Sequence, residues 1–208
     1  AGEGNFQAPL AIQSDFRMRT SLNINRLNRS TGQSVRIPAL ELRDVNNDQA
    51  ADLVSRNDER LDVFLANSTG ASYFPGTPTY TVDITEIEAR LGEFDIDNVD
   101  FSNLTGILSL THEEILEDMN GDGIDDLLLR EGGKVSLFMG TSSGMDLEQP
   151  QQVLRSGGNV LSTFLNDEDE DGLKDLWLWR VEPISVGDVF VWLALSGSIA
   201  IEAFIYPN

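Results

Sequence analysis

Asp118-Met-Asn120-Gly-Asp122-Gly-Ile-Asp-Asp126-Leu127 is the stretch that decides the fold, because the sequence contains three versions of it. The other two are Asp44-Val-Asn46-Asn-Asp48-Gln-Ala-Ala-Asp52-Leu53 and Asp167-Glu-Asp169-Glu-Asp171-Gly-Leu-Lys-Asp175-Leu176. All three have a carboxylate or amide side chain at positions 1, 3, 5 and 9 and leucine at position 10. Glycine stands at position 6 of the second and third versions, where the first has Gln49. Three copies in one register indicate a repeat protein.

The spacing of these oxygen-bearing side chains indicates loops that bind a hard cation. Ca²⁺ takes six to eight oxygen ligands at about 2.3–2.6 Å. Asp and Asn at alternating positions favour a tightly curled loop through Asx turns, and glycine at position 6 permits a left-handed backbone. An EF-hand would need glutamate at position 12, where this sequence has Ser55, Leu129 and Leu178. The loops are therefore not EF-hands, and the same absence weakens an interpretation as a dockerin.

The composition excludes several classes of function. The 208 residues carry a formal net charge of −21, which argues against binding to nucleic acid or to anionic membrane surfaces. The lack of cysteine excludes disulfides and thiolate sites, and a single histidine, His112, excludes a multi-histidine metal site. No apolar run reaches the roughly 20 residues of a transmembrane helix. Hydrophobic residues make up 40%, so we expect a folded chain of one domain or two small ones.

Short apolar runs around each motif predict strands in a repeated order. A candidate strand precedes each loop, and two apolar runs separated by an Asn or Gly turn follow the first and second loops as hairpins. A weaker outer strand completes the pattern, so the sequence predicts four-stranded antiparallel units. The units cover about residues 33–81, 104–155 and 156–208, and residues 1–12 are predicted to hold an outer strand of a further or closing unit.

Two short helices interrupt this pattern. Residues 82–103 are predicted to form an insertion whose helix starts at a capping box of Thr85 and Glu88 and stops at Gly92. The second helix is predicted in Val186–Leu195, which is apolar nearly all round. We expect this second helix to be buried.

The motif Asp-x-Asn/Asp-x-Asp-Gly-x-x-Asp-Leu resembles that of the FG-GAP / VCBS repeat family, whose blades also build the integrin alpha-subunit propeller. The resemblance covers about residues 33–81 and 104–208, and Gly4–Ile12 resembles the outer strand of such a blade. It implies an all-β fold of about three to four β-propeller blades, as part of a larger propeller, with Ca²⁺ in the loop between the first and second strands of each blade. The implied ligands, for about three Ca²⁺ ions, are Asp44, Asn46, Asp48, Ala50, Asp52, Asp118, Asn120, Asp122, Ile124, Asp126, Asp167, Asp169, Asp171, Leu173 and Asp175, of which Ala50, Ile124 and Leu173 act through backbone carbonyls.

The function implied by this resemblance is a calcium-binding scaffold for extracellular binding or adhesion, on a secreted, cell-surface or periplasmic protein. The ligand is a protein or a carbohydrate that the sequence does not identify. The alternative is a non-catalytic or catalytic propeller part of a secreted carbohydrate-active enzyme, such as a polysaccharide lyase. Most acidic clusters belong to the loops, and we interpret His112 as a surface or capping histidine, so we expect a non-enzymatic role.

The third unit has no outer strand of its own in the sequence. We therefore interpret the chain as an arc that associates with itself or continues in a longer parent chain, rather than as a closed ring. The rival interpretation pairs Phe6–Ile12 with the strand near Tyr206 and closes the ring.

Overall fold

A computed structural model describes residues 9–12, 15–23, 28–67, 73–156 and 159–208, with the backbone only for residues 15–23 and 28–36. The chain is mostly β, in antiparallel sheets. The predicted N-terminal strand Phe6–Ile12 falls mainly outside the described residues. The chain divides into two compact units, Ala1–Asp44 with Ala50–Val82 and Val45–Gln49 with Asp83–Asn208.

The first unit contains a two-stranded and a four-stranded sheet. The two-stranded sheet pairs nine residues on each side, from Asp15↔Arg36 to Asn23↔Asn28. The four-stranded sheet has its strands in chain order. Its register runs from Ala39↔Arg56 in the first pair and from Leu53↔Phe64 in the second. The strands of this unit are β1 Asp15–Asn23, β2 Asn28–Arg36, β3 Ala39–Arg43, β4 Asp52–Arg56, β5 Arg60–Phe64 and β6 Tyr80–Asp83.

The second unit contains a four-stranded sheet of the same design. Its order is β7-β8-β9-β12, so the chain again runs back and forth from one edge to the other. The central strand β8 is buried over most of its length because its residues are covered on both faces. Along the chain, a separate two-stranded ribbon of β10 and β11 lies between the third strand of this sheet, β9, and its fourth strand, β12. The strands are β7 His112–Glu117, β8 Asp126–Glu131, β9 Lys134–Phe138, β10 Gly140–Thr141, β11 Gly144–Met145 and β12 Gln152–Arg155.

The last sheet has three strands, in the order β13-β14-β15. They are β13 Asn159–Asn166, β14 Asp175–Val181 and β15 Ile201–Tyr206. Phe164 lies opposite Trp177 across the first pair, and their rings stack with centroids 5.4 Å apart. Among the residues that the structure describes, no fourth strand pairs with β15.

Both predicted helices are present, with two corrections. The first, α1, spans Ile84–Leu91 and ends at Gly92, as predicted. Its N-cap is Asp83 instead of Thr85, because the Asp83 carboxylate accepts a hydrogen bond from the Glu86 amide. Two short 3-10 helices, Ile96–Asn98 and Leu104–Leu110, follow it.

The second helix, α2, spans Val186–Ala194 and begins at a capping box of Ser185 and Asp188. The expectation that α2 is buried is wrong. Phe190 is 66% exposed and Leu193 is 79% exposed, because no other described part of the chain covers them. No helix in the described part of the chain is long and apolar enough to span a membrane.

The core of the second unit lies between its two larger sheets. Leu128 and Val135 come from the four-stranded sheet, and Val160 and Leu178 come from the three-stranded sheet. Met119, which belongs to the second acidic loop, is buried in the same cluster. The base of that loop is thus held by the packing of the two sheets.

Candidate metal centre

Each acidic loop connects the first and second strands of a sheet. The loops span residues 44–51, 118–125 and 167–174, and they precede β4, β8 and β14. Their backbones share an unusual conformation, because φ is positive at positions 4 and 6 in all three. The six values are Asn47 59°, Gln49 68°, Gly121 76°, Gly123 86°, Glu170 62° and Gly172 91°.

Position 1 organises the second and third loops. One carboxylate oxygen of Asp118 accepts a hydrogen bond from the Gly123 amide at 2.9 Å, and one oxygen of Asp167 accepts from the Gly172 amide at 2.9 Å. This bond closes the loop around position 6, where glycine adopts the left-handed backbone without a Cβ clash. The sequence pattern predicted this curl, and the structure confirms it.

Positions 3 and 5 add Asx turns inside the loops. The Asn120 side-chain oxygen accepts a hydrogen bond from the Asp122 amide at 2.9 Å. Asp122 in turn accepts one from the Ile124 amide at 2.8 Å, and Asp171 accepts one from the Leu173 amide at 2.8 Å. These bonds point the side-chain oxygens toward the inside of the curl, as Asx turns do.

The third loop brings three carboxylates together. Asp167, Asp169 and Asp175 each offer an oxygen, and the three oxygens lie within 4.8 Å of one another. Within the described residues, this is the one group of at least three acidic, histidine or cysteine side chains that can hold a metal ion. Asp171 is not part of that group. In the second loop, one of the four side chains, Asn120, is an amide.

The aspartate at position 9 has a role that the sequence analysis did not predict. Asp52 and Asp126 are fully buried, and Asp175 is 3% exposed. In the second and third loops one carboxylate oxygen accepts from the position 2 amide, at 3.2 Å from Met119 and 2.9 Å from Glu168. The position 9 aspartate therefore ties the end of its loop to the start of the same loop.

One oxygen of each position 9 aspartate accepts a hydrogen bond from the backbone beyond the third strand, and in Asp126 and Asp175 it is not the oxygen that binds the position 2 amide. Its donors are the amides of Ala66 at 2.6 Å, Gly140 at 2.9 Å and Asn208 at 3.0 Å, for Asp52, Asp126 and Asp175 respectively. The third strands end at Phe64, Phe138 and Tyr206, so each donor lies two residues past the strand end. A buried carboxylate at the first residue of an apolar strand is the sequence signal that points to such bonds.

Burial and crowding oppose ionisation of Asp126. Burial raises the pKa of its carboxyl, and the charges of Asp122 and Asp118 raise the pKa further. The hydrogen bonds from Gly140 and Met119 work in the opposite direction but do not cancel the effect. The second loop thus concentrates negative charge that a bound cation would neutralise.

The residues of the first loop are divided between the two compact units. Val45–Gln49 belong to the second unit, and Asp44 and Ala50 belong to the first. In the second unit the buried Asn46 donates to Asp48 at 3.3 Å and to the Ser142 carbonyl at 3.0 Å. In the first unit Asp52 binds the Ala66 amide. The ligand roles assigned to Asp44, Asn46, Asp48, Ala50 and Asp52 stay predictions, as do the backbone carbonyls of Ile124 and Leu173.

His112, which the sequence suggested is a surface or capping histidine, is only partly exposed. It starts β7, its side chain is 21% exposed, and its Nδ1 lies 2.7 Å from the Glu114 carboxylate. Its Nε2 lies 3.5 Å from Glu88 of α1.

No protein-family model matches the sequence, and no curated protein matches it significantly.

Proposed function

We propose that the chain is a calcium-binding β-propeller repeat module, in which each sheet with its acidic loop forms one blade. The observation that carries the proposal is the repetition of the loop backbone, with positive φ at positions 4 and 6 in all three copies. Each copy also places a buried aspartate at position 9 that accepts a backbone hydrogen bond from beyond the third strand. Such regularity supports one shared ligand chemistry in the three loops.

The donor atoms favour Ca²⁺ over other metals. All the candidate ligands are oxygens, without nitrogen or sulfur, which suits a hard cation. The hydrogen bonds within the loops leave these oxygens able to bind a cation as well, because each carboxylate oxygen has two lone pairs. Asp167, for example, can accept from the Gly172 amide and bind a cation at the same time.

The proposed role of the ion is structural. It neutralises carboxylates that repel one another and fixes a loop that joins two strands. Calcium loops of sensor strength or weaker, with Kd of about 10⁻⁷–10⁻³ M, fill reliably only where calcium is plentiful. We therefore propose an exported scaffold for binding or adhesion, and we expect the native protein outside the cytosolic fraction.

Calorimetric titration with Ca²⁺ tests the proposal. The expected stoichiometry is about three ions per chain. Combined Asp167→Asn and Asp169→Asn substitutions remove two ligands of the third loop and should lower the stoichiometry by one.

The matched control is Glu168→Gln with Glu170→Gln, which removes the same charge from exposed, non-ligand positions of the same loop. The control should keep the original stoichiometry. Absence of calcium binding by the unmodified chain, or equal loss in both variants, would contradict the proposal.

A further inference from the structure

Backbone hydrogen bonds join neighbouring acidic loops. The Asp125 amide donates to the Val45 carbonyl at 2.9 Å, and the Lys174 amide donates to the Met119 carbonyl at 3.1 Å. In both cases position 8 of one loop donates to position 2 of the loop before it. The same link thus occurs between the first and second loops and between the second and third loops.

Met119 connects the two position 9 aspartates of the second unit. Its amide donates to Asp126 of the second loop at 3.2 Å, while its carbonyl accepts from Lys174, the residue directly before Asp175 of the third loop. Met119 is 4% exposed, so its backbone groups are shielded from solvent. A single buried residue therefore lies between two candidate cation ligands.

Asn208 reinforces the connection. Its side-chain amide donates to the Met119 carbonyl at 2.7 Å and to the Lys174 carbonyl at 3.4 Å. Its backbone amide donates to Asp175 at 3.0 Å. Asn208 thus binds both members of the link and the ligand of the third loop.

The loops also pack directly on each other. A Cβ added to Gly121 would lie 3.2 Å from the Leu173 side chain, so the two loop backbones are close. Leu173 is the residue whose carbonyl is expected to bind the ion of the third loop. Movement of Leu173 and movement of the second loop are therefore not independent.

We propose that cation binding to the second and third loops is positively cooperative and that Met119 transmits the coupling. This inference rests on the proposed calcium-binding function. An ion in the third loop fixes Leu173 and Asp175 and therefore the Lys174 amide between them. That amide holds Met119, which in turn holds Asp126 in the second loop. Binding of the first ion includes the entropy cost of ordering these shared groups. The second ion binds to groups that are already ordered, so it binds more tightly.

A titration followed loop by loop tests the coupling. The Gly123 and Gly172 amides donate to the position 1 carboxylates, so their ¹⁵N NMR signals report the second and third loops separately. In the full chain, titrated in calcium buffers, both signals should follow coincident sigmoidal curves. Two hyperbolic curves with different midpoints would overturn the coupling.

Substitution of one loop gives the second readout. Asp167→Asn with Asp169→Asn should raise the half-saturating Ca²⁺ concentration at Gly123 by about fivefold or more, the lower range of typical coupling. The control Glu168→Gln with Glu170→Gln removes equal charge and should change it less than twofold.

By reciprocity, Asp118→Asn with Asp122→Asn should raise the half-saturating concentration at Gly172 by a similar factor. An equal midpoint at Gly123 in the ligand variant and its control overturns the coupling and leaves the calcium sites standing. A lack of response of both signals to Ca²⁺ in the unmodified chain overturns the proposed function as well.

Discussion

The aspartates at position 9 and the exposed carboxylates of the loops differ in environment. Asp126 is fully buried and accepts two backbone hydrogen bonds, from Met119 and Gly140. Asp169 is exposed and accepts one, from Asp171 within its own loop. The first carboxylate therefore supports the fold whether or not an ion is bound, whereas the second matters mainly for the ion.

We predict that Asp126→Ala and Asp169→Asn separate these two roles. Asp126→Ala removes the acceptor of the buried Met119 amide and of the partly buried Gly140 amide, at up to about 1–3 kcal/mol each, so unfolding should need less urea both in EGTA and in millimolar calcium. Asp169→Asn should lower stability in calcium only. Urea unfolding of both variants in the two buffers measures the difference, and an effect of Asp126→Ala confined to calcium would contradict the supporting role.

A second prediction concerns the left-handed residues. Glu170 has φ of 62°, a conformation that costs a non-glycine residue about 1–2 kcal/mol. Glu170→Gly should therefore stabilise the chain by up to about 1 kcal/mol, after the greater chain entropy of glycine is subtracted. Glu168→Gly removes the same charge at a position without positive φ and should destabilise it. Chemical unfolding of the pair tests this, and equal effects of the two changes would refute it.

Among the elements, α1 is held to the sheet of the second unit by charge. Arg90 donates to Glu131 of β8 at 2.7 and 3.1 Å, and Lys134 of β9 donates to the same carboxylate at 3.0 Å. Burial alone would raise the pKa of Glu131, but the hydrogen bonds and charges of Arg90 and Lys134 hold it below the ordinary value of 4.5. These bonds are strongest when Glu131 is ionised, and they act beside the apolar packing of Ile84 and Ile87, which are buried.

We predict that Arg90→Ala destabilises the chain by about 1 kcal/mol at neutral pH, the upper range for partly exposed ion pairs. A lowered pKa means that the stabilisation is present above pH 4.5 and is lost as pH falls through the lower pKa of the folded state. The variant and the unmodified chain should therefore converge in stability once the pH falls below the lowered pKa of Glu131 in the folded state. Glu86→Gln, which removes only the pair within α1, is the control. A difference that persists at low pH would show that Arg90 acts through packing.

At the scale of the whole molecule, the loops and the sheets repeat together, but the third sheet has three strands among the described residues where the other two have four. Asn208 follows β15 at the same distance as Ala66 follows β5 and Gly140 follows β9. By this correspondence β15 is a third strand. In the described part of the chain its outer edge has no partner, whereas β6 and β12 pair with the equivalent edges. Ile201 and Ile205 on β15 are 50% and 44% exposed.

We predict that the melting temperature falls when calcium is removed. One ion at a hundredfold excess over Kd stabilises the folded chain by about 2.7 kcal/mol, which corresponds to roughly 5–10 °C for a protein of this size. Differential scanning calorimetry with EGTA against millimolar calcium measures the change. A melting curve that EGTA does not move would count against structural calcium.

We also predict that the chain associates in calcium buffer through the edge of β15, because an unpaired apolar edge recruits other strands. Ile205→Lys should raise the dissociation constant about tenfold, or 1.4 kcal/mol, since a charge on an edge strand opposes such pairing. Leu193→Lys places the same charge on the exposed face of α2 and is the control. Light scattering over a concentration series decides, and a monomer at every concentration would refute the prediction.

The sequence by itself determined the features that depend on near neighbours. The acidic loops, their curl and the strands on either side follow from oxygen-bearing residues at alternating positions, from Gly123 and Gly172, and from short apolar runs. Helix α1 was predictable for the same reason, although its N-cap is Asp83, because several polar residues compete for that position. These interactions join residues that are only a few positions apart, so neighbouring residues in the sequence are enough to predict them.

Only the tertiary structure decided what the loops bind to within the chain. The donors to Asp126 and Asp175 include Gly140 and Asn208, and the link between loops joins Met119 to Lys174. All of these are backbone amide or carbonyl groups. Every residue has the carbonyl, and every residue except proline has the amide N–H, so the residue type does not identify which groups form these bonds. Their position depends on how two sheets pack around a shared core, and α2 is exposed because none of the described residues covers it.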